Sequence, residues 1–146
     1  MSDATDGIQV AIRACRTDDI DAVLELWRVA GSPESTGSDY DGVTTLLRRD
    51  PEALLVAEIA GRIVGTIIGG WDGWRANLYR IAVLPDQRRR SIGRALVRTA
   101  ESRLRTRGMR RCSAIVLVDN TEAVEFWRAL GYEPQPEVGR YVRTFA

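Results

Sequence analysis

The chain has 146 residues, of which 45% are hydrophobic and 28% are charged. This length is typical of one domain with a buried core, and the composition excludes a disordered chain. No run approaches the ~20 apolar residues of a membrane-spanning helix, and the first ten residues lack the pattern of a signal peptide. With no His and only Cys15 and Cys112, zinc chemistry and a His-based triad are excluded. We expect one domain over residues 1–146 in the cytoplasm, where thiols stay reduced.

The charges balance only over the whole chain. All 21 basic residues are Arg, and 20 acidic residues leave a net charge of +1. Residues 88–111 hold ten Arg and a single acid, Glu101, so this segment carries +9 and the remainder of the chain −8. A basic block inside an otherwise acidic chain indicates an anionic ligand bound at one place.

The first half of the chain predicts one strand followed by two helices. Apolar and polar residues alternate over residues 8–14, as in a half-buried strand. Thr17 and the two acids after it are typical of a helix start. Residues 31–38 have the composition of a loop, and a second helix is predicted over residues 39–49, before Pro51.

Three strands are predicted next. Two apolar, β-rich runs, residues 53–60 and 63–70, are joined at Gly61 and predict a hairpin. Asp72 and Gly73 predict a second tight turn, because this pair suits the positive φ angles of a hairpin. Residues 77–84 then predict another strand.

The last third predicts a helix, a strand, a helix and a strand. Apolar residues at spacings of three and four, from Ile92 to Leu104, predict a long helix that Gly108 ends. The continuous apolar run 112–118 is typical of a strand covered on both faces. Asn120 is suited to cap a helix that Gly131 ends, and residues 141–145 fit a last strand. This order of elements predicts an α/β fold, a mixed sheet with helices on both faces.

The most informative stretch, residues 83–96, runs from strand through turn to helix. The first turn of a helix has unpaired N–H groups and a partial positive charge, and the small residues Ser91 and Gly93 would let an anion approach them. Arg88, Arg89 and Arg90 add positive charge there. The pattern predicts a phosphate or pyrophosphate site; the alternative is an exposed basic helix start that Ser91 caps. A Walker loop and the dinucleotide fingerprint are excluded, because their Gly spacings are missing.

This stretch resembles the acetyl-CoA motif of the GCN5-related N-acetyltransferase (GNAT) superfamily. That motif has Gln or Arg, two variable residues, Gly, one variable residue, and Gly or Ala, between a strand and the long helix. Arg88, Ser91 and Gly93 occupy these places, with Ser91 standing where Gly is usual.

A second family motif follows at the predicted last helix. It has Asn, Ala, Phe and Tyr at set spacings and then Gly followed by Phe or Tyr. The chain matches it at Asn120, Ala123, Phe126, Gly131 and Tyr132, but has Trp127 where Tyr is usual. The order of elements matches the family over roughly the whole chain. Residues 64–73 resemble a bacterial branch of the family with unknown substrate.

The resemblance implies that acetyl-CoA lies between the strands 77–84 and 112–118, which splay apart in this family. Backbone groups of Ile81, Ala82 and Val83 would bind the pantetheine arm. The loop amides would hold the pyrophosphate, while the Arg side chains would reach the 3′-phosphate or stay in solvent. No metal is implied. The residues implied in acetyl-CoA binding are Ile81, Ala82, Val83, Arg88, Arg89, Arg90, Ser91, Ile92, Gly93, Arg94, Asn120, Ala123, Phe126 and Trp127.

The implied reaction is attack of a neutral amine on the thioester carbonyl. The protein has to aim the amine, polarise the carbonyl through an N–H near Ile81 or Val83, remove one proton and return one to the thiolate. Asn120 would contact the pantetheine or the reacting end; its alternative role is a plain helix cap. For Ala123 and Phe126 the alternative is core packing.

Trp127 leaves the acid unassigned, because an indole N–H is a donor but not a usable acid. Three interpretations stay open: water protonates the thiolate, another tyrosine does so, or the chain binds acetyl-CoA without turnover. The tyrosines are Tyr79, Tyr132 and Tyr141. The candidate bases are Tyr79, Asp72, Glu34 and Asp119, although Asp72 suits a turn, and an amine that arrives deprotonated needs no base.

The leading hypothesis is therefore an acetyl-CoA-dependent N-acetyltransferase that acts on a primary amine of a small molecule, peptide or protein. The acidic remainder of the chain favours a cationic acceptor. One alternative is a non-catalytic acyl-CoA sensor with the same pocket. A nucleic-acid binder is disfavoured, because no aromatic residue interrupts residues 88–111 to stack on bases. We expect no nucleic-acid or membrane partner, a homodimer stays open, and the Arg side chains of the long helix are expected to be solvated.

Overall fold

The computed structural model describes residues 9–32, 35–88 and 91–145. Within these ranges lie five strands and four α-helices. The strands are β1 Ala11–Ala14, β2 Leu54–Ile59, β3 Arg62–Trp71, β4 Ala76–Val83 and β5 Cys112–Ala114; the helices are α1 Ile20–Val29, α2 Tyr40–Arg49, α3 Ile92–Thr106 and α4 Thr121–Ala129. Short 3₁₀ turns at Thr17–Asp19 and Pro85–Gln87 precede α1 and α3. The contacts define two compact units, which meet in sequence between Ala114 and Ile115.

The five strands form one mixed sheet in the order β1-β2-β3-β4-β5. The first four strands are antiparallel to their neighbours, and β5 runs parallel to β4. Both predicted hairpins are present. Ala60 and Gly61 have φ angles of 50° and 79° in the β2–β3 turn, as a two-residue hairpin turn requires. The β3–β4 turn is longer and spans residues 72–75, where Gly73 has a φ of 94°.

Helices α1 and α3 cover opposite faces of the sheet, as predicted. The hydroxyl of Thr66 on β3 accepts a hydrogen bond from Trp27 of α1. The preceding residue of β3, Gly65, packs against Leu96 of α3: a Cβ atom added to Gly65 would lie 3.0 Å from the Cδ1 atom of Leu96. Successive residues of a strand point to opposite faces, so the two helices are on opposite sides. The buried apolar core of this unit lies mainly between the sheet and these helices and includes Ile20, Val23, Leu54, Val56, Val64, Ile67, Ile92, Leu96 and Val97.

The structure corrects the two last predicted strands. β5 ends at Ala114 instead of residue 118, and Val118 is 94% exposed. The pairing with β4 stops at Leu78, immediately before an irregularity that bends β4, so the apolar run loses its partner. Residues 141–145 form no strand, and Tyr141 is 98% exposed.

The remaining elements follow the prediction closely. β1 begins at Ala11, while Ile8 of the predicted strand lies outside the described residues. The long helix ends at Thr106 with Arg107 as its C-cap, and Gly108 follows with a φ of 108°, as predicted. None of the helices in the described ranges is long and apolar enough to cross a membrane. The single domain over residues 1–146 stays a prediction.

Candidate functional site

The second half of β4 has an open edge. β3 pairs with β4 from Ala76 to Val83, whereas β5 pairs with it only from Ala76 to Leu78. Beyond Leu78, no other strand of the described residues covers the edge of β4 that faces away from β3. A strand edge of this kind exposes backbone N–H and C=O groups that can bind an extended ligand.

The peptide groups at this edge are oriented by their neighbours. The carbonyl of Arg80 accepts a hydrogen bond from the Thr66 hydroxyl on β3, at 2.9 Å. In a trans peptide the N–H points opposite to the carbonyl, so the N–H of Ile81 points away from β3. The N–H of Leu84 donates to Val64 of β3 at 2.9 Å, and the carbonyl of Val83 therefore also points to the open side. These are backbone groups that the sequence predicted for pantetheine binding.

A bulge holds the N–H of Ile81 in this position. The β3–β4 register shifts between Thr66 and Ile68, and Arg80 adopts the left-handed region with a φ of 52°. The buried Thr66 hydroxyl also accepts from the indole Nε1 of Trp27, at 2.9 Å. Because this hydroxyl is satisfied on both sides and inaccessible to water, it fixes the bulge firmly. The bulge thus presents a preorganised N–H, which is the group that a developing oxyanion requires.

Helix α3 begins without a side-chain cap. Ser91 is the residue at the cap position, with a φ of 61°, and its hydroxyl makes no capping hydrogen bond. The alternative in which Ser91 caps the helix is therefore wrong, because the left-handed backbone carries the side chain away from the first-turn amides. The first-turn amides belong to Ile92, Gly93 and Arg94, and this turn holds no acidic residue. These amides are open to an anion.

The exposed Arg88 side chain donates hydrogen bonds to two backbone carbonyls. Its Nε donates to the carbonyl of Val83 at 3.1 Å, and its Nη2 donates to the carbonyl of Ala30 at 3.0 Å. The side chain thus ties the end of β4 to the loop after α1, a role that sequence reasoning did not foresee. Arg89 and Arg90 lie outside the described residues.

The candidate proton-transfer groups are placed differently. Tyr79 pairs with Ile68 and is 42% exposed, beside the bulge and on the same face of the sheet as Thr66. Asp72 accepts hydrogen bonds from the N–H groups of Trp74 and Arg75, both at 2.7 Å. These N–H donors lower the pKa of Asp72, so this residue makes the turn and is a poor base.

Of the two remaining candidate bases, Glu34 and Asp119, the structure describes only Asp119. Glu34 lies outside the described residues, and Asp119 is exposed in the loop before α4. Burial raises the pKa of the Cys15 thiol to about 11. This thiol is therefore protonated at neutral pH and is not a nucleophile.

The unit from Ile115 onward contains the second family motif. The Asn120 side chain accepts from the N–H of Ala123 at 3.0 Å, which confirms that it caps α4. Trp127 is only 6% exposed, and its ring packs edge-on against Phe126 and Tyr132, with centroid distances of 5.3 and 5.0 Å. Trp127 and Tyr132 are thus in contact, while core packing, the alternative for Ala123 and Phe126, stays a prediction. The contact of Asn120 with pantetheine stays a prediction.

The Arg side chains along α3 mostly meet acids. Arg98 pairs with Glu101, Arg103 with Glu52 and Arg107 with Asp50. These pairs are partly exposed and contribute little stability. This part of the basic block serves as a partly solvated helix face.

Sequence reasoning missed the cluster of Trp27, Thr66 and Arg80 that shapes the bulge. Two signals were available. Thr66 is the one polar residue within the apolar run 63–70, and Arg80 interrupts the strand 77–84. A polar residue in a buried strand needs a partner, and here the partners come from another helix and strand.

An open strand edge beside an uncapped helix start suits an extended ligand with an anionic end. A family model, that of the acetyltransferase (GNAT) family, matches residues 18–132. The chain belongs to this family, which confirms the resemblance and the interpretation of the chain as an acetyl-CoA-dependent N-acetyltransferase at the level of the family. The chain is 36% identical over 127 residues to an acetyltransferase of Sodalis glossinidius, covering 87% of this chain and 89% of the relative. An acetyltransferase of Pectobacterium atrosepticum is 36% identical, with coverages of 84% and 86%.

Solved structures agree with the fold. Ard1 from Thermoplasma volcanium has a TM-score of 0.75 at 28% identity, over 84% of this chain and 81% of that one. The aminoglycoside N-acetyltransferase AAC(6′)-Iy, solved with a bisubstrate analogue, has a TM-score of 0.75 at 20% identity, over 94% and 99% of the two chains. The mixed-sheet α/β prediction is confirmed.

Proposed function

We propose that this chain transfers the acetyl group of acetyl-CoA directly to a primary amine. The observation that carries the proposal is the uncapped start of α3, which lies at the end of the strand with the open edge. One part suits a diphosphate and the other an extended amide-containing arm, and CoA has both chemistries. The acceptor is an amine in a small molecule, a peptide or a protein.

The residues fit acetyl-CoA in two segments. The amides of Ile92, Gly93 and Arg94 would bind the pyrophosphate. Backbone groups of Ile81, Ala82 and Val83 would bind the pantetheine arm at the open edge of β4. Arg88 already uses the Val83 carbonyl, so other backbone groups of this segment carry more of this binding, and the N–H of Ile81 is kept for the reacting carbonyl. The parts of Asn120, Ala123, Phe126 and Trp127 rest on the second family motif.

The N–H of Ile81 would stabilise the transition state. The amine lone pair forms a bond to the thioester carbon while the carbonyl oxygen gains negative charge, and a fixed N–H in a water-poor site stabilises that charge. The C–S bond then breaks. The new amide nitrogen loses one proton and the departing thiolate gains one, so that the products are an N-acetyl amine and CoA.

Tyr79 is the residue that we assign to proton transfer. It precedes Arg80 in the bulge and is accessible, whereas Tyr141 is almost fully exposed in a segment without a strand. Tyr132 is an alternative donor and packs on Trp127. Trp127 takes the place of the family's usual Tyr and would act as an apolar wall. Water is sufficient for part of the rate, because a thiolate is a good leaving group.

The direct test combines binding and turnover. Isothermal titration should give a measurable heat with acetyl-CoA. With at least one amine of a panel, the enzyme should release the free thiol of CoA, which is detected by its exchange with a chromogenic disulfide. Binding without thiol release from any amine would support the acyl-CoA sensor instead. No binding to any CoA thioester would overturn the proposed function. The known complex of AAC(6′)-Iy with its bisubstrate analogue supports an amine acceptor.

Two substitutions test the proton path. Tyr79→Phe removes only the hydroxyl, so kcat should fall about 10- to 100-fold while the acetyl-CoA dissociation constant is unchanged. Trp127→Tyr should preserve or raise kcat if a missing acid limits the rate. A Tyr79→Phe enzyme with full activity would exclude this residue, and a steep loss in Trp127→Tyr with intact binding would give Trp127 a role of its own.

A further inference from the structure

Arg80 is a fixed cation beside the bulge. Its guanidinium lies over the ring of Trp27, with its carbon 4.7 Å from the ring centroid. Its Nη2 donates to the hydroxyls of Ser35 and Ser38, at 3.0 and 2.5 Å. The stack and the two hydrogen bonds hold a side chain that would otherwise sample many rotamers.

This cation has no anionic partner among the described residues. The ion pairs of the described chain involve other Arg residues, such as Arg13, which meets both Asp19 and Glu58. Partial burial lowers the pKa of Arg80, and no neighbouring carboxylate offsets this effect. A guanidinium has five N–H donors, and the hydrogens on Nε and Nη1 have no acceptor among the described residues.

The backbone holds Arg80 at a cost. A non-glycine residue with a φ of 52° lies in the left-handed region, where the side chain strains the backbone. Gly would adopt this conformation without strain and would leave the carbonyl of residue 80 available to Thr66. A strained residue at a site is a reason to look for a function of its side chain.

Arg80 lies in the chain between the two residues that we assign to the reaction. Ile81, whose N–H is assigned to the oxyanion, is the next residue, and Tyr79 is the previous one. Consecutive Cα atoms are 3.8 Å apart, so the backbone of Arg80 lies between the two groups that we assign to the reaction. Arg80 also lies on the face of the sheet that α1 covers, as its contact with Trp27 requires.

We propose that Arg80 binds a carboxylate of the acceptor, so that the enzyme acetylates amines that also carry a carboxylate, as amino acids and short peptides do. This inference rests on the proposed function. A planar guanidinium matches a carboxylate with two parallel hydrogen bonds, and one positive charge balances one carboxylate. The acidic remainder of the chain attracts the ammonium end of the same zwitterion, so the two charge patterns agree.

Matched acceptor pairs test this proposal. Each amino acid is compared with its own carboxamide, which keeps the amine and removes only the charge. The wild-type enzyme should prefer the acid, with kcat/KM higher by about 10- to 100-fold for the best pair. Arg80→Gln and Arg80→Gly should abolish this preference, and Gly also preserves the left-handed backbone.

Two further readouts separate this proposal from others. The acetyl-CoA dissociation constant of both variants should stay within about twofold of wild type; a large rise would place Arg80 in the CoA site and overturn the proposal. Equal losses for acids and carboxamides would indicate a purely structural role and also overturn it. Binding of amino acid and carboxamide to the CoA-saturated protein, followed by NMR, reads the carboxylate site even if no acceptor turns over.

Discussion

The helices of this chain begin in two different ways. In α2, Asp39 accepts from the N–H of Gly42 at 2.8 Å, and in α4 Asn120 accepts from Ala123. Both helices also have an acidic residue in their first turn. Helix α3 has neither: Ser91 makes no cap, and the first turn holds no acid.

The difference shows that the open start of α3 follows from its backbone and sequence and is not a general property of the chain. A cap residue would stabilise the helix by about 1 kcal/mol, and an acid near the start would add to that. Either group would also occupy the amides or neutralise the charge that an anionic ligand needs. Helix α1 also lacks a side-chain cap but has Asp21 in its first turn. Helix α3 is therefore the one α-helix in the described ranges with neither a side-chain cap nor a first-turn acid, which is why we place the pyrophosphate there.

The strongest test gives α3 the acid that the other helices have. Gly93→Glu puts a carboxylate and a larger side chain in the first turn, so the acetyl-CoA dissociation constant should rise about 100-fold because both charge and space oppose the pyrophosphate. Isothermal titration measures this. Ser102→Glu is the matched control, because it adds the same charge at an exposed position in the same helix.

The control should bind acetyl-CoA as the wild type does. Circular dichroism should show both variants folded, since first-turn acids favour helices. Equal affinities for Gly93→Glu and the wild type would contradict the assignment of the pyrophosphate to α3.

The second test concerns the segment that leads into α3. Arg88→Ala removes the hydrogen bonds to Val83 and Ala30, so the free energy of unfolding should fall by about 1–2 kcal/mol in urea denaturation. The acetyl-CoA dissociation constant should rise several-fold, because the end of β4 is held less firmly. Arg105→Ala, on the exposed side of α3, is the control and should change neither quantity. An Arg88→Ala protein of wild-type stability would show that this tie contributes nothing.

The sequence predicted those features of the fold that depend only on residues close together in the chain. The Asp72–Gly73 turn, the cap at Asn120 and the course of the long helix were all predicted, because each depends on residues within about one turn. The loop between strand and helix was found in the same way. The family motifs then supplied a ligand that periodicity alone could not name.

Contacts between distant residues were not predictable. The bulge at Arg80 depends on Thr66, 14 positions away, and Thr66 is held by Trp27, 39 positions from it. The strand 112–118 was predicted too long, because an apolar run does not reveal that its partner strand bends away after Leu78. The left-handed backbone of Ser91 was hidden for a similar reason, since Ser is also a common helix cap.

The third test uses the capped helix. Asn120→Ala should lower the free energy of unfolding by about 1 kcal/mol, whereas Asn120→Asp keeps a capping oxygen and the stability. If Asn120 also contacts the pantetheine, both variants should weaken acetyl-CoA binding several-fold. Unchanged binding in Asn120→Asp would leave this residue with the cap alone. Asp39→Ala in α2 is the control: it should lose similar stability without any change in acetyl-CoA affinity.

The smallest effect, at Ser91, tests why α3 is open at all. Ser91→Gly relieves about 1–2 kcal/mol of left-handed strain and costs about 0.5–1 kcal/mol in unfolded-chain entropy, so the protein should gain about 0.5–1 kcal/mol in urea denaturation. Acetyl-CoA affinity should change by less than about twofold, because the hydroxyl makes no cap and the amides keep their positions. Ser91→Ala retains the strain and should gain nothing. A marked loss of affinity in both variants would show that the hydroxyl itself binds the ligand, and the open start of α3 would then depend on this side chain as well as on its backbone.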